Sequence, residues 1–117
     1  MVKTYLSLGL VASVFSMSVL AEDLTPQQSK ELTVFAVKNL GASSTTVRDV
    51  KDVFPRAKIN ELVATGINLN GFLCASVADI RPLKVKATYE VTCIAYRNGS
   101  ARKTYIVDAL KGVAFEP

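Results

Sequence analysis

The chain contains no histidine. That absence excludes a Ser-His-Asp or Cys-His catalytic arrangement and every metal site built on imidazole. Cysteine is scarce as well. Cys74 and Cys93 are the two present, and eighteen residues separate them, so there is no C-x-x-C redox pair. Charge of one sign never accumulates into a run, and no cluster of aromatics forms a stacking platform. Nucleic acid is therefore not an expected partner. Paired carboxylates are the catalytic chemistry still open. The acids are scattered, however, and sit beside bases, as Asp49 and Asp52 do beside Arg48 and Lys51. An enzyme working through carboxylates is the least supported of the functional classes. No catalytic residue, cofactor or metal is expected.

The first 21 residues carry one charge, Lys3. An apolar run from Tyr5 to Leu20 follows, broken by Ser7, Gly9, Ser13, Ser16 and Ser18, and Val19-Leu20-Ala21 leads directly into Glu22-Asp23. A positive start, an apolar middle and small residues before a polar switch make a secretory signal peptide. A membrane anchor is the competing reading, but it needs about 20 apolar residues, more than this serine-spotted run offers. Residues 1–21 are thus expected to be a signal peptide of bacterial type, cleaved near Ala21, with residues 22–117 forming a single α+β domain in the periplasm or outside the cell. Cleavage leaves 96 residues and lowers the formal net charge from +4 to +3. The excess lies in the second half, where residues 71–117 hold seven basic and four acidic side chains. In an oxidising compartment an even cysteine count reads as a disulfide, here Cys74–Cys93.

The exported part divides by periodicity. Thr25-Pro26-Gln27-Gln28 is a helix start: Thr25 caps, Pro26 suits the first helical position, and Gln28 completes a capping box. Leu32, Phe35, Ala36 and Leu40 then form one apolar stripe, and Gly41 stops the helix. Val47, Val50, Val53 and Phe54 also fit helical spacing up to Pro55, with a short strand as the alternative, since β-branched residues are mediocre helix formers. Ile59, Leu62 and Val63 suggest one or two more helical turns closed by Gly66. Beyond the turn at Asn68–Gly71 the period becomes two. Phe72, Cys74, Ser76, Ala78 and Ile80 share one side of a first strand, which Arg81-Pro82 ends. From Lys84 to Tyr96, Val85, Ala87, Tyr89, Val91, Cys93 and Ala95 point one way and Lys86, Thr88, Glu90 and Thr92 the other. A third strand covers about Ala101–Ala109, and Val113-Ala114-Phe115 adds a short last one after the Lys111-Gly112 turn. The expected fold is N-terminal helices packed on a three- to four-stranded antiparallel sheet.

Asn98-Gly99 is the strongest hairpin signal, because both residues tolerate positive φ. A two-residue turn there sets Arg97 opposite Ser100, Cys93 opposite Thr104 and Val91 opposite Ile106. Cys74 must then approach from the preceding strand, on the apolar side it shares with Cys93. Closing that loop is worth about 3 kcal/mol. Asn98-Gly99-Ser100 also spells a glycosylation sequon, which the turn explains better. Asp108 is placed to cap the Lys111-Gly112 turn, and Tyr89 to fill the core. Arg97, Arg102 and Lys103 cluster near the hairpin tip, either as a solvated tip or as a contact for an anionic partner.

Tyr89-Glu90-Val91, Asn98-Gly99, Tyr105-Ile106-Val107-Asp108-Ala109 and Gly112-Val113 together resemble the PepSY domain family: a Y-E-V strand, a glycine turn, a strand ending V-D-A and a tight turn before a last apolar strand. The resemblance covers about a third of the exported chain. The two cysteines and the long Gly41–Gly71 segment lie outside the family pattern. It implies a small exported or membrane-outer-face module, a helix packed on an antiparallel sheet, with no catalytic residues; some members precede secreted metalloproteases as inhibitory pro-segments. The leading expectation is a non-catalytic binding module that contacts or inhibits an unknown partner protein. The alternative is a cell-envelope structural or stress protein that contacts anionic lipid or polysaccharide through the basic hairpin.

Overall fold

The computed structural model describes residues 23–117; the segment read as a signal peptide lies outside them. The first helix, α1, spans Pro26–Asn39. Its capping box forms as the sequence predicts: Thr25 Oγ1 accepts from the Gln28 amide at 3.1 Å, and Gln28 Oε1 accepts from the Thr25 amide at 2.9 Å. The second helix, α2, spans Arg56–Leu69. Both end alike. The amide two residues past the cap reaches back five positions (Ala42 to Val37 O, 2.9 Å; Phe72 to Ile67 O, 3.3 Å), and Gly41 and Gly71 take the left-handed position between, at φ 112° and 96°.

A four-stranded antiparallel meander follows, in the order β1 (Ser76–Pro82), β2 (Thr88–Ile94), β3 (Arg102–Asp108), β4 (Val113–Phe115). The α+β class, helices first and sheet second, is the one periodicity indicated. Burial alternates along β2, with Tyr89, Val91 and Cys93 inward. These residues meet Tyr105 and Val107 of β3, Ile80 of β1, Leu32 and Phe35 of α1, and Ile59, Val63 and Ile67 of α2 in one core. The opposite face of the sheet stays half-exposed, through Glu90, Thr92, Thr104 and Ile106.

The two helices run the same way. Phe35 meets Gly66 late in both helices, and Asn70 Nδ2 donates to Asn39 Oδ1 at 3.0 Å beyond or at their last turns. The chain must therefore return along the whole length of α1, about 21 Å for fourteen residues, before α2 begins. This corrects the helical reading of Val47–Phe54. β-branched Val47, Val50 and Val53 are mediocre helix formers, and Pro55 follows directly. The segment keeps only a 3₁₀ turn at Val47–Asp49 and is otherwise non-helical and unpaired. Pro55, which disfavours helix at Phe54, serves as the N-cap of α2.

Gly66 does not end a helix. It lies inside α2 because a Cβ there would stand 2.4 Å from Phe35 Cε2; the glycine lets the helices approach. Four strand readings shift as well. In β1, a bulge between Val77 and Asp79 inserts Ala78, so Val77 and Ile80 turn inward while Ser76 and Ala78 are exposed. Lys84–Ala87 is a turn rather than the start of β2, and Val85 is 69% exposed. Pro82 does not break β1 but pairs with Tyr89 as its last residue, a place an edge strand allows. The β2–β3 register is one residue off the two-residue-turn expectation: Cys93 faces Lys103 and Val91 faces Tyr105. Tyr105 and Val107 are buried in this register.

An asparagine clasp ties the helix ends to the last strand. Asn39 Nδ2 donates to Gly112 O at 2.9 Å, and the Ala114 amide donates to Asn70 Oδ1 at 3.2 Å. Asp108 Oδ1 accepts from the Lys111 amide at 3.3 Å, capping the turn as expected.

Candidate functional site

Cys74 and Cys93 form the disulfide, with Cα atoms 5.2 Å apart and both side chains buried. The half-cystine outside the sheet is held twice more. The Cys74 amide donates to Asn68 Oδ1 at 2.9 Å, and Asn68 Nδ2 donates to the Cys74 carbonyl at 2.8 Å. The Tyr105 hydroxyl donates to Leu73 O at 3.1 Å, and its ring packs on Phe72 with centroids 5.0 Å apart. The β2–β3 hairpin thus rises from a braced base. Such a bond fits an oxidising compartment. No helix among the described residues is long and apolar enough to cross a membrane.

The hairpin loop is Tyr96–Ser100, closed by the Ala95 amide on Ala101 O at 2.8 Å. Inside it the Gly99 amide donates to Tyr96 O at 3.0 Å, and Asn98 takes φ 62°. Only the asparagine of the Asn-Gly pair is left-handed, so the loop is not the tight two-residue turn, and the register differs by one residue. Arg97, Arg102 and Lys103 are all exposed, but they do not make one patch. Lys103 pairs with Cys93 and leans to the helix side of the sheet; Arg102 pairs with Ile94 on the open side; Arg97 stands at the tip. Tyr96, beside Arg97, is 58% exposed. Leu73, 47% exposed, lies at this same end of the sheet, one residue before the bridge.

A polar pair sits in the interior where no functional residue was expected. Glu31 on α1 is 5% exposed. It accepts the Tyr89 hydroxyl on one oxygen and Gln27 Nε2, at 3.2 Å, on the other. Burial first, then the hydrogen bond and charge of Glu31, push the Tyr89 phenol well above its ordinary value. The carboxylate is buried and doubly hydrogen-bonded. Sequence reasoning passed over Glu31 because a glutamate beside an apolar stripe looks solvated. The available signal was Tyr89 itself, whose hydroxyl needs a partner once the ring is placed in the core.

On the open sheet face Arg81 of β1 pairs with Glu90 of β2 through both Nε and Nη2. Hydrogen bonds from the Thr46 amide and hydroxyl, aided by Lys51 and Arg48, hold the exposed Asp49 carboxyl below its ordinary value. Among the described residues no three His, Cys, Asp or Glu side chains are grouped to hold a metal ion. No family model, curated protein or solved structure matches this chain.

Proposed function

We propose that this chain is an exported, non-catalytic binding module, which contacts or inhibits a partner protein in the bacterial periplasm or outside the cell through the β2–β3 hairpin. The observation that carries the reading is Tyr96 beside Arg97, both exposed on a loop whose base is braced by the Cys74–Cys93 bridge. Tyrosine and arginine dominate the energetics of protein interfaces. A loop that is already ordered loses little entropy on binding. Leu73 adds apolar area at the same end. The secretory character of residues 1–21 and the likeness of the C-terminal third to PepSY domains support the same reading.

The alternative, contact with anionic lipid or polysaccharide through a basic hairpin, draws less support. The sheet sends Arg102 and Lys103 to opposite faces, so no single cationic surface results.

The test is capture of periplasmic protein by the exported chain, compared with a Tyr96→Ser/Arg97→Ser variant. The expected result is one saturable partner whose affinity falls about 100-fold in the variant, two interface residues at 1–2 kcal/mol each. The melting temperature should stay nearly unchanged, since both side chains are exposed. Equal capture by both proteins removes the hairpin tip from the function. Capture abolished by salt alone favours the anionic-surface alternative.

A further inference from the structure

A second surface lies at the other end of the sheet, where the β1–β2 and β3–β4 turns meet α1 and the linker that returns along it. A cleft of about 640 Å³ opens there. Gln27, Val34 and Lys38 of α1 line it, spaced so that they share one helical stripe about 16 Å long. Thr45 to Arg48 of the linker form one wall, and Lys86 and Leu110, from the two turns, the other.

Lys38, Arg48 and Lys86 come from three separate segments and converge on one cleft, and no carboxylate lines it. Three acids close to this lining along the chain have oxygens engaged elsewhere, among them Asp108, which accepts from the Lys111 amide. Glu31 lies on the same stripe of α1 but gives its oxygens to Tyr89 and Gln27. Asp49 is held by the amide and hydroxyl of Thr46. Lys38 is positioned rather than neutralised: its ammonium donates to the carbonyl of Ser43 at 2.7 Å, and a lysine has further donors. Arg48 and Lys86 are exposed, and neither makes an ion pair among the described residues. Like charges gathered in a cleft raise the local potential and recruit an anion. Val47 and Leu110 supply an apolar part to the same lining, with Val34 fully buried beneath it.

We propose that this cleft binds an amphiphilic phosphate: a phosphoryl headgroup held by Lys38, Arg48 and Lys86, with a short apolar body along Val47 and Leu110. The volume suits one small ligand. The headgroup chemistry is shared by a soluble phosphomonoester and by a phospholipid at a membrane surface. The cleft is independent of the hairpin tip, so either reading survives failure of the other.

Octyl phosphate is the probe, titrated into the isotope-labelled protein and followed by amide chemical shifts. The expected result is saturable binding with the largest shifts at Lys38, Thr46, Arg48, Lys86 and Leu110. Arg48→Ser/Lys86→Ser, both exposed changes, should weaken it about tenfold or more while leaving the rest of the spectrum in place. Octyl glucoside, which has the same body and no charge, should bind at least about tenfold more weakly. Co-sedimentation with phosphatidylglycerol vesicles, lost in the double variant, assigns the headgroup to a membrane lipid. Saturable octyl phosphate binding without co-sedimentation assigns it to a soluble ligand. The proposal is overturned if octyl phosphate does not saturate, if octyl glucoside binds equally, or if the double variant binds as the parent does.

Discussion

Tyr89 shows how one side chain sets a pH limit. Its hydroxyl is buried against Glu31, and its ionisation is opposed by burial and by the neighbouring negative charge. A phenol whose folded-state pKa is raised contributes stability that is fully present below the unfolded value, about 10. That contribution is lost as pH rises above it. Denaturant midpoints should therefore hold up to about pH 10 and fall beyond it, and Tyr89→Phe should flatten the alkaline slope. At neutral pH the same variant should cost about 1–3 kcal/mol, because Glu31 is left buried with Gln27 alone. An unchanged alkaline slope in Tyr89→Phe would show that the Glu31–Tyr89 bond does not govern the transition.

At the scale of elements, Gly66 separates two effects of opposite sign. Alanine is the better helix former by about 1 kcal/mol, and on propensity alone Gly66→Ala stabilises α2. The added Cβ, however, would meet the fully buried Phe35 ring at 2.4 Å. Overpacking a filled core costs about 1–3 kcal/mol, so the net effect should be destabilising. The expected measurement is a lower denaturant midpoint for Gly66→Ala, partly restored by Phe35→Leu in the same chain. A coupling free energy near zero in that double-mutant cycle would mean the helices do not depend on this contact. The linker makes the same point about context. Its valines have an amphipathic spacing that satisfies a helix locally, yet Pro55 disfavours helix at Phe54 and the segment runs back along α1 largely as non-helical chain.

For the whole molecule the disulfide is the main covalent constraint. It joins the end of the helical half to the centre of the sheet, in a domain small enough that the margin of stability is modest. The mass of the protein recovered from its host should match an N-terminus near Glu22 and a chain two hydrogens lighter than the reduced form, with no thiol labelled after unfolding without reductant. Replacing Cys74 and Cys93 together with Ala should cost roughly 2–5 kcal/mol in the denaturant midpoint. Two labelled thiols per chain, or an unchanged midpoint in the double variant, would contradict the bridge or its role.

The features legible in the sequence are those set by a few neighbouring residues. Thr25, Pro26 and Gln28 start α1 because a capping box closes within four residues. The change of period near Gly71 separates helices from strands because alternation is a property of the strand itself. Cys74 and Cys93 pair because they are the only cysteines in the chain. The features that escaped are those in which a distant part of the chain outweighs local preference. Val47–Phe54 packs back along α1 as largely non-helical chain ahead of Pro55. The bulge at Ala78 brings Val77 to the core in place of Ser76 and Ala78, while Ile80 stays inward as the alternation indicates. The loop Tyr96–Ser100 takes five residues in place of two, and burial of Tyr105 and Val107 opposite Val91 and Tyr89 selects the resulting register. Neither the buried partner of Tyr89 nor the cleft joining Lys38, Arg48 and Lys86 has any counterpart in sequence spacing, since each is assembled from segments that only folding brings together.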